Sequence, residues 1–117
     1  MSYTKNKANV LGHIGSEIDV RRFEDGGFSV QFRVATNHYW FEGQDESRVK
    51  HEETEWHQIK ATGKHGKNLA KLVEKGSLKK GSYVDIEGRL KTHKWTDTSG
   101  VDRYTTQVVV EKFGLLK

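Results

Sequence analysis

Three tryptophans lie in polar segments of the chain, and their positions are the first sign of a binding chemistry. Trp40 ends a predicted strand, whereas Trp56 and Trp95 share predicted strand faces with lysines and arginines. Burying a Trp gives a large hydrophobic gain, so several rings on wet faces need a reason. Nucleic-acid bases supply one, because any base can stack on an aromatic ring for about 1–3 kcal/mol while Lys and Arg neutralise phosphates. The alternative is that these rings cap the ends of the fold or fill subunit contacts.

Basic side chains close to these aromatic residues are the candidate phosphate partners. They lie on predicted strands and hairpins at Arg21, Arg33, Lys60, Arg89, Lys91, Lys94 and Arg103. A second group of lysines surrounds a predicted helix, and a solvated helix face is the commoner explanation for most of them. This group consists of Lys64, Lys67, Lys71, Lys75, Lys79 and Lys80. The sequence therefore favours phosphate binding on the strands over binding on the helix.

The residues that enzymes and metal sites require are absent or badly spaced. The chain has no Cys, which excludes disulfides, thiolate catalysis and Cys-based zinc sites. A metalloprotease helix needs two His four residues apart, but in the segment HEETEWH the residues His51 and His57 are six apart. No phosphate loop, nucleophile elbow or dinucleotide fingerprint occurs, and the nearby carboxylates Glu52, Glu53 and Glu55 form no specific metal pattern. We therefore predict a non-catalytic protein with neither cofactor nor metal.

Length and charge place the chain among small, mildly basic domains. Its 117 residues suit a single domain over 1–117, with a net charge of +4 and a pI of about 9.3. Any polyanion binding must therefore depend on where the cations lie. The first residues, MSYTKNKANV, lack the apolar region of a signal peptide, and no apolar run approaches the length of a membrane span. We expect a cytoplasmic protein that does not bind membranes.

The hydrophobic pattern changes from strand to helix period and back again. Strands are predicted in the segments 8–14, 28–40, 54–62, 81–95 and 102–110, and apolar alternation is clear at 28–34. A hairpin turn is predicted at Asp25-Gly26-Gly27, just before the second of these strands. The period is helical at 66–76, and Gly76 ends that helix. The charged run from Phe41 to Thr54 is too polar to pack, so it is predicted to be a mobile loop.

The order of these elements predicts the fold class. Three strands, one helix and two strands match an all-β, five-stranded Greek-key OB-fold barrel with its helix between the third and fourth strands. An SH3-like barrel is the main rival, but a helix midway through the strands fits it poorly. Strand faces and loops of OB-type barrels bind single-stranded nucleic acids and sugars.

Several segments together resemble one known family. They read NKANVLGHIG, FRVATNHYW, TEWHQI, KKGSYVDIEGRLKTHKWTD and GVDRYTTQVVV. These are similar to the bacterial single-stranded DNA-binding protein family, from about Asn6 to Val110. The resemblance implies an OB-fold and a homotetramer, with a dimer as the alternative. It also implies non-specific wrapping of single-stranded DNA during replication, recombination and repair.

The same resemblance implies roles for individual residues. The family's stacking tryptophans fall on Trp40, Trp56 and Trp95. Its subunit-interface histidine falls on His57, and its first strand, which pairs with a second copy, begins here at Asn6. The implied interface residues are therefore His57, Asn6, Lys7 and Val10.

Three departures from the family pattern qualify these expectations. Thr62 stands where the family often has a stacking Phe, so one platform is expected to be missing and the affinity per subunit lower. The segment 63–81 is several residues longer than usual. The sequence ends in VVVEKFGLLK, without the flexible acidic tail that recruits replication and repair enzymes in the family. We therefore expect no recruitment by that route.

Three other functions remain open at this stage. The first is a tail-less dimeric adaptor of the primosome type, which would contact a helicase and DNA together. The second is an RNA-binding OB module, because stacking does not itself distinguish the two sugars. The third is a metal-dependent nuclease.

Overall fold

A computed structural model describes residues 2–116, which form six strands and one α-helix. The strands are β1 (Ala8–Ile14), β2 (Asp19–Arg22), β3 (Phe28–Glu42), β4 (Val49–Thr62), β5 (Tyr83–Thr96) and β6 (Asp102–Leu116). The helix α1 spans Gly63–Glu74, and a short 3-10 turn occupies Asp45–Ser47. No helix within residues 2–116 is long and apolar enough to cross a membrane.

Five of the strands close into a barrel. The strand order is β1-β5-β6-β4-β3, and the end of β1 pairs back onto β3 at His13–Ala35 and Ile14–Val34. All contacts are antiparallel except β4–β6, which pair in parallel at Gln58–Gln107. The short strand β2 lies outside the closure and pairs only with the first residues of β3. The predicted five-stranded Greek-key barrel, with a helix between its third and fourth strands, is confirmed.

Alternation along the strands separates the core from the outer surface. In β4, Ile59 and Ala61 point inward and are fully buried, whereas Gln58 points outward. In β5, Val84 and Ile86 are buried by the same rule. The apolar inner faces hold the barrel together, so the outer faces are free to carry charge.

Helix α1 packs against the barrel through a small face. Leu69 and Ala70 are buried there, and Gly66 lets the helix backbone approach β3 and β4 closely. A Cβ at Gly66 would lie 2.5 Å from the carbonyl oxygen of Phe28 and 2.9 Å from that of Ala61. The helix ends where the backbone N–H of Gly76 donates to Val73, with Gly76 in the left-handed region at φ 80°.

The pairs β3–β4 and β5–β6 each form a long two-stranded ribbon that extends beyond the barrel. The β3–β4 ribbon occupies most of the segment that was predicted to be a loop. Residues Phe41 and Glu42 belong to β3, and 49–54 belong to β4, so only 43–48 form a turn. The β3–β4 register is unbroken from Ser29–Thr62 to Glu42–Val49. The loop prediction failed because both faces of this ribbon are exposed. A ribbon in water needs no alternation of apolar and polar residues, so its sequence carries no strand signal.

Substituting Gly66 with Ala tests the close approach of the helix. We expect Gly66→Ala to lower the free energy of unfolding by about 1–3 kcal/mol, because the methyl group would overlap the carbonyl oxygens of β3 and β4. Ala has the higher helix propensity, which works against this loss by up to about 1 kcal/mol. Urea denaturation measures the difference. The control Lys67→Ala, at the next and exposed position, should stay within about 0.5 kcal/mol of the parent. A Gly66→Ala protein at least as stable as the parent would show that the helix does not pack this closely on β3 and β4.

Candidate nucleic-acid interface

One outer face of the barrel gathers side chains from four strands. Across β3 and β4, Ala35 pairs with Trp56 and Gln31 with Lys60, while β5 and β6 pair Lys91 with Gln107 and Trp95 with Arg103. Partners directly across a sheet point to the same side. The parallel pair Gln58–Gln107 joins the two halves. The resulting surface, called here the outer face, contains Gln31, Arg33, Trp56, Lys60, Arg89, Lys91, His93, Trp95, Arg103, Gln107 and Val109.

A cleft of about 200 Å³ lies at the middle of the outer face. This cleft, called here the trough, is lined by Lys60, Thr62, Arg89, Lys91, His93, Gln107 and Val109. Within residues 2–116, no carboxylate oxygen lies within 4 Å of the charged nitrogens of Lys60, Arg89 or Lys91. The side-chain amide of the buried Gln107 donates to the side-chain Oε1 of Gln31 at 3.2 Å, which fixes the floor. The trough is therefore positively charged and has a rigid base.

Trp56 lies on the outer face, four residues before Lys60 on β4, and is held from two sides. The guanidinium of Arg33 lies 5.2 Å from the centre of its ring, within the range of a cation–π contact. The ring also packs on Gly15, where a Cβ would come within 2.3 Å of it. Even so, 49% of the residue remains exposed. Trp56 is therefore fixed in position but open to a stacking partner.

Trp95 lies on the outer face of the β5–β6 ribbon, two residues beyond His93 of the trough. Its indole nitrogen donates to the hydroxyl of Thr105 at 2.9 Å, and 46% of the residue is exposed. A hydrogen bond on the polar edge of an indole restrains the ring and leaves its faces free. Trp56 and Trp95 are thus both held in position and about half exposed on the outer face that contains the trough.

Trp40 lies on the opposite face of the β3–β4 ribbon. It is five residues beyond Ala35, the partner of Trp56, and side chains alternate along a strand with this unbroken register. Its ring stacks with His38 at 5.7 Å and with His51 at 5.3 Å between centroids. His51 contacts Glu42 at 2.9 Å. The structure therefore brings Trp56 and Trp95 to one face but does not bring Trp40 to it.

The predicted phosphate partners divide by their contacts. Lys60, Arg89 and Lys91 line the trough, and Arg33 supports Trp56. The others contact aspartates, as seen in the pairs Arg21–Asp19 at 3.2 Å, Lys94–Asp102 at 3.2 Å and Arg103–Asp97 at 3.0 Å. Lys94 is also cross-strand to Tyr104 and points away from Trp95, so alternation removes it from the outer face.

Two exposed aromatic residues on the ribbon were missed by sequence reasoning. Tyr39 and Phe41 lie on the same face as Trp56, and each is about half exposed. The Nζ of Lys50 lies 4.4 Å from the Tyr39 ring centre, and the guanidinium of Arg48 lies 4.4 Å from that of Phe41. Their spacing of two residues is the strand period and would have identified them. The signal was lost because the run from Phe41 was interpreted as a loop.

The implied interface residues make contacts within the chain. Val10 is buried in the core with 6% exposure, so its side chain packs within the chain, and its place in a subunit interface stays a prediction. Its inward direction follows from alternation, which sends its neighbour Leu11 outward. His57 forms a 2.8 Å hydrogen bond with the hydroxyl of Thr36. The prediction of a subunit contact for this histidine stays a prediction.

The start of the chain is tied to β5. The side-chain amide of Asn6 accepts from the backbone N–H of Leu90 at 2.9 Å and donates to its carbonyl oxygen at 2.8 Å. Lys7 pairs with Glu87, and this hydrogen bond raises the pKa of Lys7 and lowers that of Glu87. On the other edge of β1 only His13 and Ile14 pair with β3, so the edge along 8–12 has no strand partner within residues 2–116.

The turn of the β5–β6 ribbon is organised by one carboxylate. Asp97 accepts hydrogen bonds from the Ser99 hydroxyl at 2.7 Å and the Val101 N–H at 3.0 Å, and from the guanidinium of Arg103 at 3.0 Å. These donors, with Ser99 the largest cause, lower the pKa of Asp97 to about 2. Within residues 2–116, no group of three His, Asp or Glu side chains is arranged to hold a metal ion.

A family model and two solved structures of single-strand binding proteins match this chain. The model of the family described as "Single-strand binding protein family" matches residues 5–116. A solved Plasmodium falciparum SSB in complex with ssDNA is 25% identical and has a TM-score of 0.81, over 100% of this chain and 99% of that chain. A deletion mutant of the single-stranded DNA binding protein from Thermus aquaticus is 22% identical with a TM-score of 0.73. The match covers 97% of this chain but 51% of that one, and it shows the fold alone.

Replacing Asp97 by Asn tests whether its charge holds the ribbon turn. Because the folded pKa lies below the ordinary value of 3.8, the ionised carboxylate stabilises the fold above about pH 4 and loses this effect as pH falls towards about 2. We expect Asp97→Asn to lower the Tm at pH 7, with the difference from the parent shrinking between about pH 4 and pH 2. Thermal unfolding followed by circular dichroism across that range measures it. Ser99→Ala should lower the Tm by less than Asp97→Asn does. A Tm difference between parent and Asp97→Asn that stays constant with pH would show that the charge of Asp97 does not stabilise the turn.

Proposed function

Because the chain belongs to the single-strand binding protein family, we propose that it binds single-stranded DNA through the outer face, without sequence preference. Bases stack on Trp56 and Trp95, and Lys60, Arg89 and Lys91 hold the phosphates between them. The observation that supports this most strongly is the trough itself. Its cations Lys60, Arg89 and Lys91 have no carboxylate partner within residues 2–116, and two half-exposed tryptophans lie on the same outer face.

The chemistry of the outer face explains why any sequence would bind. Every base has a π-face, so stacking on Trp is sequence-tolerant, and phosphates are the same along the strand. The cations of the trough repel one another in the free protein, and each phosphate relieves that repulsion. Binding should therefore weaken as salt rises, with a log–log slope of about −0.7 per phosphate contact.

The contact surface continues along the β3–β4 ribbon beyond Trp56. Tyr39 and Phe41 follow on the same face, each with a cation over its ring. Trp40 contributes less to DNA binding, because it lies on the other face of the ribbon, where it stacks with His51. Strand alternation places Glu42, Glu53 and Glu55 on that same face. Carboxylates there repel a phosphate backbone.

The proposed role is that of a non-catalytic DNA chaperone. Coating exposed single strands keeps them from folding back or being cut during replication, recombination and repair. Self-association belongs to the same proposal, with a homotetramer as the expected state. The unpaired edge of β1 and the exposed Leu11 beside it support such an interface.

Tryptophan variants test the stacking proposal. We expect Trp56→Ala and Trp95→Ala each to weaken binding of oligo-dT by about 1–3 kcal/mol, because each loses one base-stacking platform. Trp40→Ala should cost less than about 1 kcal/mol, and it serves as the matched control for removing an exposed ring. Fluorescence anisotropy of a labelled oligonucleotide gives the affinities without depending on Trp emission.

A conservative variant separates stacking from packing. Trp95→Phe keeps an aromatic face but loses the hydrogen bond to Thr105, so it should bind more tightly than Trp95→Ala. Circular dichroism confirms that each variant is folded. Unchanged affinity in both Trp56→Ala and Trp95→Ala, with folding intact, would show that these rings are structural. A clear preference for oligo-U over oligo-dT would instead point to RNA as the ligand.

A further inference from the structure

Four lysines follow one line along α1 and its last turn. They are Lys64, Lys67, Lys71 and Lys75, called here the lysine stripe, and all four are exposed. Spacings of three, four and four residues keep them within an arc of about 80° on the side opposite the buried Leu69. At a rise of 1.5 Å per residue the stripe is about 16 Å long.

Folding alone does not explain the lysine stripe. The first turn of α1 contains Lys64 but no acidic residue, which opposes the helix dipole. Lys67 and Lys71, and then Lys71 and Lys75, are like charges four residues apart, which destabilises a helix. Within residues 2–116 no carboxylate oxygen lies within 4 Å of any of these ammonium groups. Lys71 lies in the last turn, where a cation is favourable to the dipole, but the like-charge spacings and Lys64 work against the helix, which points to a ligand of opposite charge.

A groove beside the stripe adds a second cationic element. It has a volume of about 360 Å³ and lies between α1 and the β2–β3 hairpin, lined by Arg22, Gly26, Phe28, Lys67, Ala70, Lys71 and Glu74. The guanidinium of Arg22 lies 5.7 Å from the ring centre of Phe28, which places it at this groove. Three cations and a single carboxylate therefore share a concave surface.

The stripe begins where the trough ends. Thr62 lines the trough and is also the residue that precedes α1, so Lys64 is only two residues beyond it. We propose that the lysine stripe, with Arg22, holds the phosphates of the same DNA strand after it leaves the trough. This inference rests on the proposed function. The lysine stripe contributes charge to this contact, and α1 contains no Phe, Tyr or Trp.

Oligonucleotide length separates this path from the trough. A short oligo-dT of about 5 nucleotides occupies the trough, whereas one of about 30 nucleotides also reaches the stripe. For Lys67→Gln/Lys71→Gln we expect unchanged binding of the short ligand. With the long ligand, the log–log slope of affinity against salt should become less steep by about 1.4, because two phosphate contacts are lost. Between about 50 and 200 mM salt, the parent would then lose about seven-fold more affinity than the variant.

A second pair of lysines provides the matched control. Lys5→Gln/Lys112→Gln removes the same charge near Glu87 and should leave both slopes as in the parent. Lys112 lies beside Leu69 and Leu72 of α1, which is the face opposite the lysine stripe. Gln has nearly the same helix propensity as Lys, so the stripe variant should melt no lower than the parent. Acetylation of surface amines gives an independent measurement. Lys67 and Lys71 should be protected by the long ligand but not by the short one.

The binding measurements separate the proposed function from the inference about the lysine stripe. If the parent binds neither ligand, the proposed function fails. If the parent binds both, but the stripe variant keeps the parent's slope with the long ligand, the inference is overturned while the proposed function stands. Equal losses in the stripe and control variants would also overturn it, because they would reflect net charge and not position. In either case an acidic protein segment would become the ligand to test on this face.

Discussion

The parallel contact between β4 and β6 is the constraint on which the binding face depends. Trp56 belongs to one ribbon and Trp95 to another, and within residues 2–116 the strands of the two ribbons pair where 58–60 of β4 lie beside 107–109 of β6. The inner sides of these same residues, Ile59 and Val108, are buried in the core. Burial on the inside thus forces Lys60 next to the cations of β5, although like charges repel. Apolar burial worth about 25 cal/mol per Å² can hold such a surface together without a ligand.

Ion pairs then determine which cations are available at that face. Arg103 and Arg21 lie on outward-facing positions, yet each is engaged by a nearby aspartate. Exposed pairs are worth only about 0–1 kcal/mol, so their weakness alone would let a phosphate compete. For Arg103 the competition is harder, because Asp97 is itself part of the hydrogen-bonded turn. Lys60, Arg89 and Lys91 have no such partner within residues 2–116, which makes the trough the centre of the proposed contact.

The sequence predicted the barrel and half of the site because strand period and element order are local signals. Alternation alone placed Arg89, Lys91 and Trp95 on one face of β5, as observed. The face of Trp40 relative to Trp56 was beyond local reasoning, because it depends on which residue lies opposite which across the hairpin. A register shift of one residue would exchange the two faces. The exposed strand residues 49–54 were also not predicted, because nothing in their pattern distinguishes a solvated strand from a loop.

Thr62 joins the two charged surfaces of the molecule. Its side chain lines the trough, and the backbone turns into α1 at Gly63, which has a φ of 59°. Lys60 and Lys91 line the same trough, and the lysine stripe begins only two residues after Thr62. A large ring at position 62 would add a stacking platform for a base. With Thr there, the proposed path instead adds phosphate contacts outside the trough to the proposed stacking on Trp56 and Trp95.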